Sequence, residues 1–127
     1  MPSNAHILAT VERYANAFSA RDRAGWLALF TEDVEVAEPA DAPIRRGKEV
    51  FAQVFDAVYG AGMQVALKPL RVIVNGKEAA VHMQVHVTDG KATTESSVIE
   101  IFTVAEDGRI ARFRAFLDMP PPNATHQ

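Results

Sequence analysis

Residues 63–117, MQVALKPLRVIVNGKEAAVHMQVHVTDGKATTESSVIEIFTVAEDGRIARFRAFL, decide the fold. The stretch falls into four apolar-rich runs, 63–74, 78–88, 92–105 and 109–117, divided at Asn75-Gly76, Asp89-Gly90 and Asp107-Gly108. Asn-Gly and Asp-Gly tolerate positive φ and therefore favour tight hairpins. Inside the runs, apolar and polar residues alternate, as in His82-Met83-Gln84-Val85-His86-Val87, the period of a strand with one buried face. The result is an antiparallel meander, and runs of this length predict a strongly curved sheet. Pro69 has no amide proton for the ladder and marks a bulge or bend in the first run.

Upstream the period changes. Ile7, Val11, Tyr14 and Phe18 fall within about 60° of one another on a helical wheel, and Ser3 or Asn4 supplies an N-cap. Asp22 is a plausible cap for a short second helix through Trp26, Leu27, Leu29 and Phe30. Val34, Val36 and Glu38 then share one face of a strand-like segment, and Pro39 and Pro43 bracket a turn before a short return at Ile44-Arg45-Arg46. Gly47 opens a third helix whose apolar stripe is Val50, Phe51, Val54, Phe55 and Val58, with Gly60 and Gly62 ending it. Helices first and strands afterwards make an α+β fold, three N-terminal helices covering one face of an antiparallel sheet.

The chain has 127 residues, enough for one domain and one core, assigned to residues 1–119 with a Pro-rich tail at 120–127. A net charge of −3 gives no footprint for nucleic acid. Cysteine is absent, which excludes disulfides, thiolate zinc sites and thiol nucleophiles. The opening Met-Pro-Ser-Asn-Ala-His has no basic flank and apolar run, and no stretch approaches the roughly 20 apolar residues of a membrane span. The expectation is a cytoplasmic protein without a membrane partner.

Three polar residues sit among apolar neighbours. Tyr14 lies in the stripe of the first helix, Glu38 ends the Val34–Val36 face, and Glu100 alternates with Val98, Phe102 and Val104. A buried carboxylate without partners costs several kcal/mol, roughly, so such a residue changes its protonation or has a task. Two of them also have a ready structural reading, Tyr14 as a core residue bonded to a backbone carbonyl and Glu38 as a solvated rim residue at a strand end, whereas Glu100 sits centrally in Val98-Ile99-Glu100-Ile101-Phe102. His82, Gln84 and His86 form a second set, alternating with Val81, Met83, Val85 and Val87. The alternation leaves open whether this set faces solvent or a cavity. Residues i and i+4 of a strand are about 13 Å apart, so the two histidines do not chelate one metal together. No phosphate loop, zinc spacing or Ser-His-Asp order is present.

Taken together, Glu12-Arg13-Tyr14, residues 26–39 ending Ala37-Glu38-Pro39, Arg46-Gly47-Lys48-Glu49, Val98-Ile99-Glu100-Ile101-Phe102 and Asp107-Gly108-Arg109-Ile110 resemble the Δ5-3-ketosteroid isomerases. These belong to the nuclear-transport-factor-2-like, or SnoaL-like, superfamily. The resemblance runs from Val11 to Leu117 and implies a cone-shaped curved sheet around one pocket, and a homodimer through the outer sheet face. It implies that Tyr14 and Glu100 bind a substrate carbonyl oxygen and that Glu38 moves the proton, with no cofactor and no metal. A carboxylic acid kept neutral by an apolar site is itself a known property of this family, so expecting it at Glu100 restates the resemblance and adds no independent support. By the same resemblance Phe30, Val54, Phe55, His82, Gln84, His86, Val98, Phe113 and Leu117 line the pocket. Glu stands at 38 and 100 where the family has Asp, Phe55 where some members have Tyr, and the polar set 82, 84 and 86 where steroid-binding members are apolar. The expected substrate for enone isomerisation is therefore a small hydrophobic or amphipathic carbonyl compound, either a steroid or a smaller, more polar enone or polyketide-like ketone. The alternatives are a SnoaL-like cyclase or hydratase using the histidines, and a non-catalytic small-ligand binder on the same fold.

Overall fold

Ser3 starts the first helix, α1 (Asn4–Ser19), its hydroxyl accepting from the His6 amide at 3.1 Å. In the computed structural model residues 2–118 are described, and the tail expected at 120–127 lies outside the described residues. Asp22 caps α2 (Arg23–Leu27) by accepting from the Gly25 amide at 3.0 Å. The second helix is shorter than its apolar pattern suggests. Phe30 opens β1 (Phe30–Ala37) instead, because its backbone pairs with Ile110. A two-residue strand, β2 (Arg45–Arg46), returns beside β1, and α3 (Lys48–Gly60) follows.

The meander forms as four strands, β3 (Gln64–Asn75), β4 (Glu78–Asp89), β5 (Ala92–Val104) and β6 (Ile110–Leu117). Asn75 pairs with Glu78 and Asp89 with Ala92, so the hairpin loops are Gly76-Lys77 and Gly90-Lys91. Each glycine takes φ +64 at the first loop position, where a side chain is strained. The register slips between Pro69 and Arg71, placing the bulge where proline interrupts the ladder.

The six strands run β2-β1-β6-β5-β4-β3 in one curved, unclosed sheet. Every pairing but one is antiparallel. The exception corrects the expected all-antiparallel sheet: β1 and β6 run parallel, with Ala37 opposite Arg114. No hairpin joins these two strands, and the long connection through α3 and the meander leaves their direction free. Helix α1 packs across β3 and α3 against β1. The core between helices and sheet is dense in aromatic rings, with Phe30 stacked on Phe51 at 3.9 Å between centroids. Among the described residues no helix is long and apolar enough to cross a membrane.

Candidate functional site

Three elements deliver Tyr14, Glu38 and Glu100 to one cavity of about 240 Å³. Tyr14 comes from the buried stripe of α1, wedged between the rings of Trp26, Phe30, Phe102 and Phe113 at 5.0 to 6.2 Å. Glu100 sits on the inner face of β5, opposite Val81 on β4 and Ala115 on β6. Glu38 follows β1, one step past the Ala37–Arg114 pair and so level with Ala115. The two glutamates thus flank a methyl side chain on the intervening strand, with backbones two strand spacings apart, about 9.5 Å. Ala115 is fully buried and carries only a methyl group, so no long side chain stands on the strand between the two glutamates.

The wall around these groups is apolar. Phe18, Trp26 and Phe51 close the cavity from the helices together with Val54 and Val58. Val65, Leu67, Val85 and Val87 form the sheet side, with Val98 and Leu117. Ser96 is the remaining polar lining residue, exposed and four positions along β5 from Glu100, about 13 Å at strand rise.

Burial governs the electrostatics. Glu100 is 5% exposed, and desolvation, with the nearby charge of Glu38, pushes its carboxyl up to about 8. Near neutral pH it is therefore mostly protonated and has an O–H to donate. Glu38 is half-buried; burial raises it too, while Arg45 pulls it back down. Arg45 stands on β2 opposite Val36, two residues before the carboxylate. The Tyr14 hydroxyl is raised well above its ordinary 10.0 by burial first, then by Glu100 and Glu38, and stays a donor. The site accordingly pairs two neutral donors with one carboxylate that ionises more readily. Among the described residues no three His, Asp or Glu side chains converge as a metal site.

The structure divides the residues expected to line the pocket. Val54, Val98 and Leu117 line the cavity with Tyr14, Glu38 and Glu100. Phe30, Phe55 and Phe113 do not; they stand behind the wall, in the aromatic core that fixes Tyr14 and Trp26. The face of β4 is reversed. Val81 and Met83 are fully buried beneath the helices and Val85 and Val87 line the cavity, so this apolar row meets its own chain. His82, Gln84 and His86 point to the outer face, where Gln84 donates to Glu95 at 2.7 Å and His86 Nε2 lies 3.6 Å from Glu95. His6 is engaged elsewhere, 2.8 Å from the Gly108 carbonyl. The cyclase or hydratase alternative relies on pocket histidines, and His6, His82 and His86 all lie off the cavity wall. Trp26, Phe51 and Phe18 join the site without a signal of their own in the sequence, where their helical stripes mark them only as core.

Comparison with known proteins agrees with this architecture. The family model of the SnoaL-like domain matches residues 11–113. A steroid Δ-isomerase of Nocardioides simplex is 27% identical over 113 residues, which is 89% of this chain and 90% of that protein. An LEH-like epoxide hydrolase of M. tuberculosis superposes with a TM-score of 0.79 at 21% identity, covering 92% of this chain and 86% of that one. An epoxide hydrolase/cyclase-like enzyme of pyran ring formation in the polyether salinomycin superposes with a TM-score of 0.78 at 21% identity, covering 87% and 89%. Likenesses to solved structures at this identity show the fold.

Proposed function

The chain belongs to the SnoaL-like domain family, and on that premise we propose that it is an acid–base isomerase of the ketosteroid-isomerase type. One observation carries the reading: Tyr14, Glu38 and Glu100 line a single cavity whose other lining residues, Ser96 apart, are apolar, with Glu100 buried enough to stay protonated. In the proposed reaction the Glu38 carboxylate takes a proton from the carbon between a carbonyl and an isolated double bond. The C–H electrons shift into a dienolate, whose oxygen accepts hydrogen bonds from Tyr14 and Glu100. Protonated Glu38 then returns the proton to the far end of the dienolate, giving the conjugated enone and regenerating the carboxylate. Proton number and charge balance over the cycle.

The apolar wall alters the substrate class inferred from sequence. With His82, Gln84 and His86 outside, the reason for a polar-walled ligand disappears. The proposed substrate is a carbonyl compound that is hydrocarbon along its middle, because oxygen atoms there would lose hydration without gaining partners. The test is conversion of a β,γ-unsaturated cyclohexenone and a 3-oxo-Δ5-steroid, followed by the ultraviolet absorbance of the conjugated product, in parent and Glu38→Gln. Saturable binding with no conversion in the parent would leave a binding module and end the isomerase reading. The proposal extends to a homodimer through the outer sheet face, where Ile73, Ile99 and Phe116 stand exposed; sedimentation at a monomer mass would refute it.

A further inference from the structure

Two buried side-chain atoms on residues that line the cavity have no hydrogen-bond partner among the described residues, Glu100 Oε1 and Trp26 Nε1. The oxyanion role accounts for Glu100. Nothing so far accounts for the indole. Trp26 is 1% exposed and packed among Tyr14, Phe18, Phe30, Phe51 and Phe55, with ring centroids 4.8 to 5.8 Å away. In that nest a phenylalanine would make the apolar contacts with no N–H to leave unpaired, and an unpaired buried donor is unfavourable. The indole also borders the Tyr14 ring, 5.7 Å between centroids, which sets it beside one of the two oxyanion donors.

Tyr14 and protonated Glu100 already match the two lone pairs of one carbonyl oxygen. A third donor beside Tyr14 needs a second acceptor. We infer that the Trp26 indole N–H is a third ligand-facing donor, and that the natural ligand carries a second oxygen beside its reacting carbonyl. The chemical class is a 1,2- or 1,3-dioxygenated compound whose remainder is hydrocarbon. This inference rests on the carbonyl-site reading of the cavity.

The chain contains a single tryptophan, so the indole N–H gives one resonance in 15N-labelled protein. The probes are 2-naphthol, whose lone oxygen stands in for an enolate, and 2,3-dihydroxynaphthalene, which adds the neighbouring acceptor. On saturation with the diol the Trp26 indole proton should move downfield. The diol should bind the parent about three- to tenfold more tightly than 2-naphthol, the range of one net hydrogen bond. Trp26→Phe should remove that advantage, since loss of ring packing weakens both probes alike while loss of the N–H weakens only the diol. A bound diol with an unmoved indole proton, or a diol advantage that survives Trp26→Phe, overturns the inference. The resonance in the parent decides the matter even if the variant fails to fold. Failure of the carbonyl-site reading has a different signature: neither probe binds, or Tyr14→Phe leaves 2-naphthol affinity unchanged, and the inference falls with it.

Discussion

Replacing Glu100 by glutamine should make the protein more stable, increasingly so as the pH rises. The carboxyl loses its proton near 4.5 in an open chain and at about 8 in the fold, because burial and the Glu38 charge disfavour its anion. Between those values the folded state holds a proton that the unfolded state has released, so stability falls as pH rises through the window and levels off above it. At about 1.4 kcal/mol per pH unit, the interval from 4.5 to about 8 amounts to about 5 kcal/mol. That is a large share of the roughly 5–15 kcal/mol that holds a domain of this kind together. Glutamine keeps the shape and an N–H donor but has no proton to lose. Urea unfolding of parent and variant at pH 5, 6, 7, 8 and 9 should therefore give curves that diverge in favour of the variant and run parallel beyond the Glu100 transition. In the isomerase reading the same proton sets the alkaline limb of kcat, which the variant should lack at a lower plateau. A stability difference that stays constant from pH 5 to pH 9 would refute the argument, since it would place the Glu100 carboxyl in contact with water or with an unrecognised cation.

Tyr14→Phe should lower kcat by about 10²–10³, the effect of one oxyanion donor, with the melting temperature little changed because its four ring contacts remain. Gly108→Ala should destabilise by about 1–3 kcal/mol: the backbone there has φ +87, and an added Cβ would lie 2.7 Å from His6 Nε2. Adding His6→Ala should relieve the clash but not the backbone strain, as thermal melts of the double variant would show. Replacing His82 and His86 together by phenylalanine should leave 2-naphthol affinity within about twofold, because both side chains lie outside the cavity; a larger change would return them to the ligand.

Local chemistry makes most of the fold legible. The stripe of Ile7, Val11, Tyr14 and Phe18 can only bury itself as a helix, and the Gly76 and Gly90 positions fix two hairpins. The parallel seam between β1 and β6 is not legible. Alternation records which side chains are buried but carries no direction, and the partners are far apart in the chain. Helix α2 reads too long because Trp26, Leu27, Leu29 and Phe30 satisfy a helical stripe and a strand start equally well. The pairing of Phe30 with Ile110 decides it, and that contact is a tertiary one.

The site divides along the same line. Tyr14, Glu38 and Glu100 stand out because each is polar on an apolar face, a conflict visible within a few residues. Trp26 does not stand out, since an indole on a buried stripe looks like core until its N–H is found without a partner. The reversed face of β4 is different, because the sequence holds enough to exclude it. A two-residue hairpin loop pairs even-numbered positions on one strand with odd-numbered positions on the next, whichever two residues form the loop. Across the turn at Gly90, Glu100 must therefore face an odd-numbered residue of β4, and it does face Val81. Directly paired residues project to the same side of a sheet. If Glu100 is in the cavity, Val81, Met83, Val85 and Val87 lie on the cavity side, and His82, Gln84 and His86 are outside. Placing Glu100 and the two histidines on one wall would require a bulge in β4 or β5, and the β4–β5 register runs without a break from Asp89–Ala92 to Glu78–Thr103. The outer histidines follow from the inner glutamate.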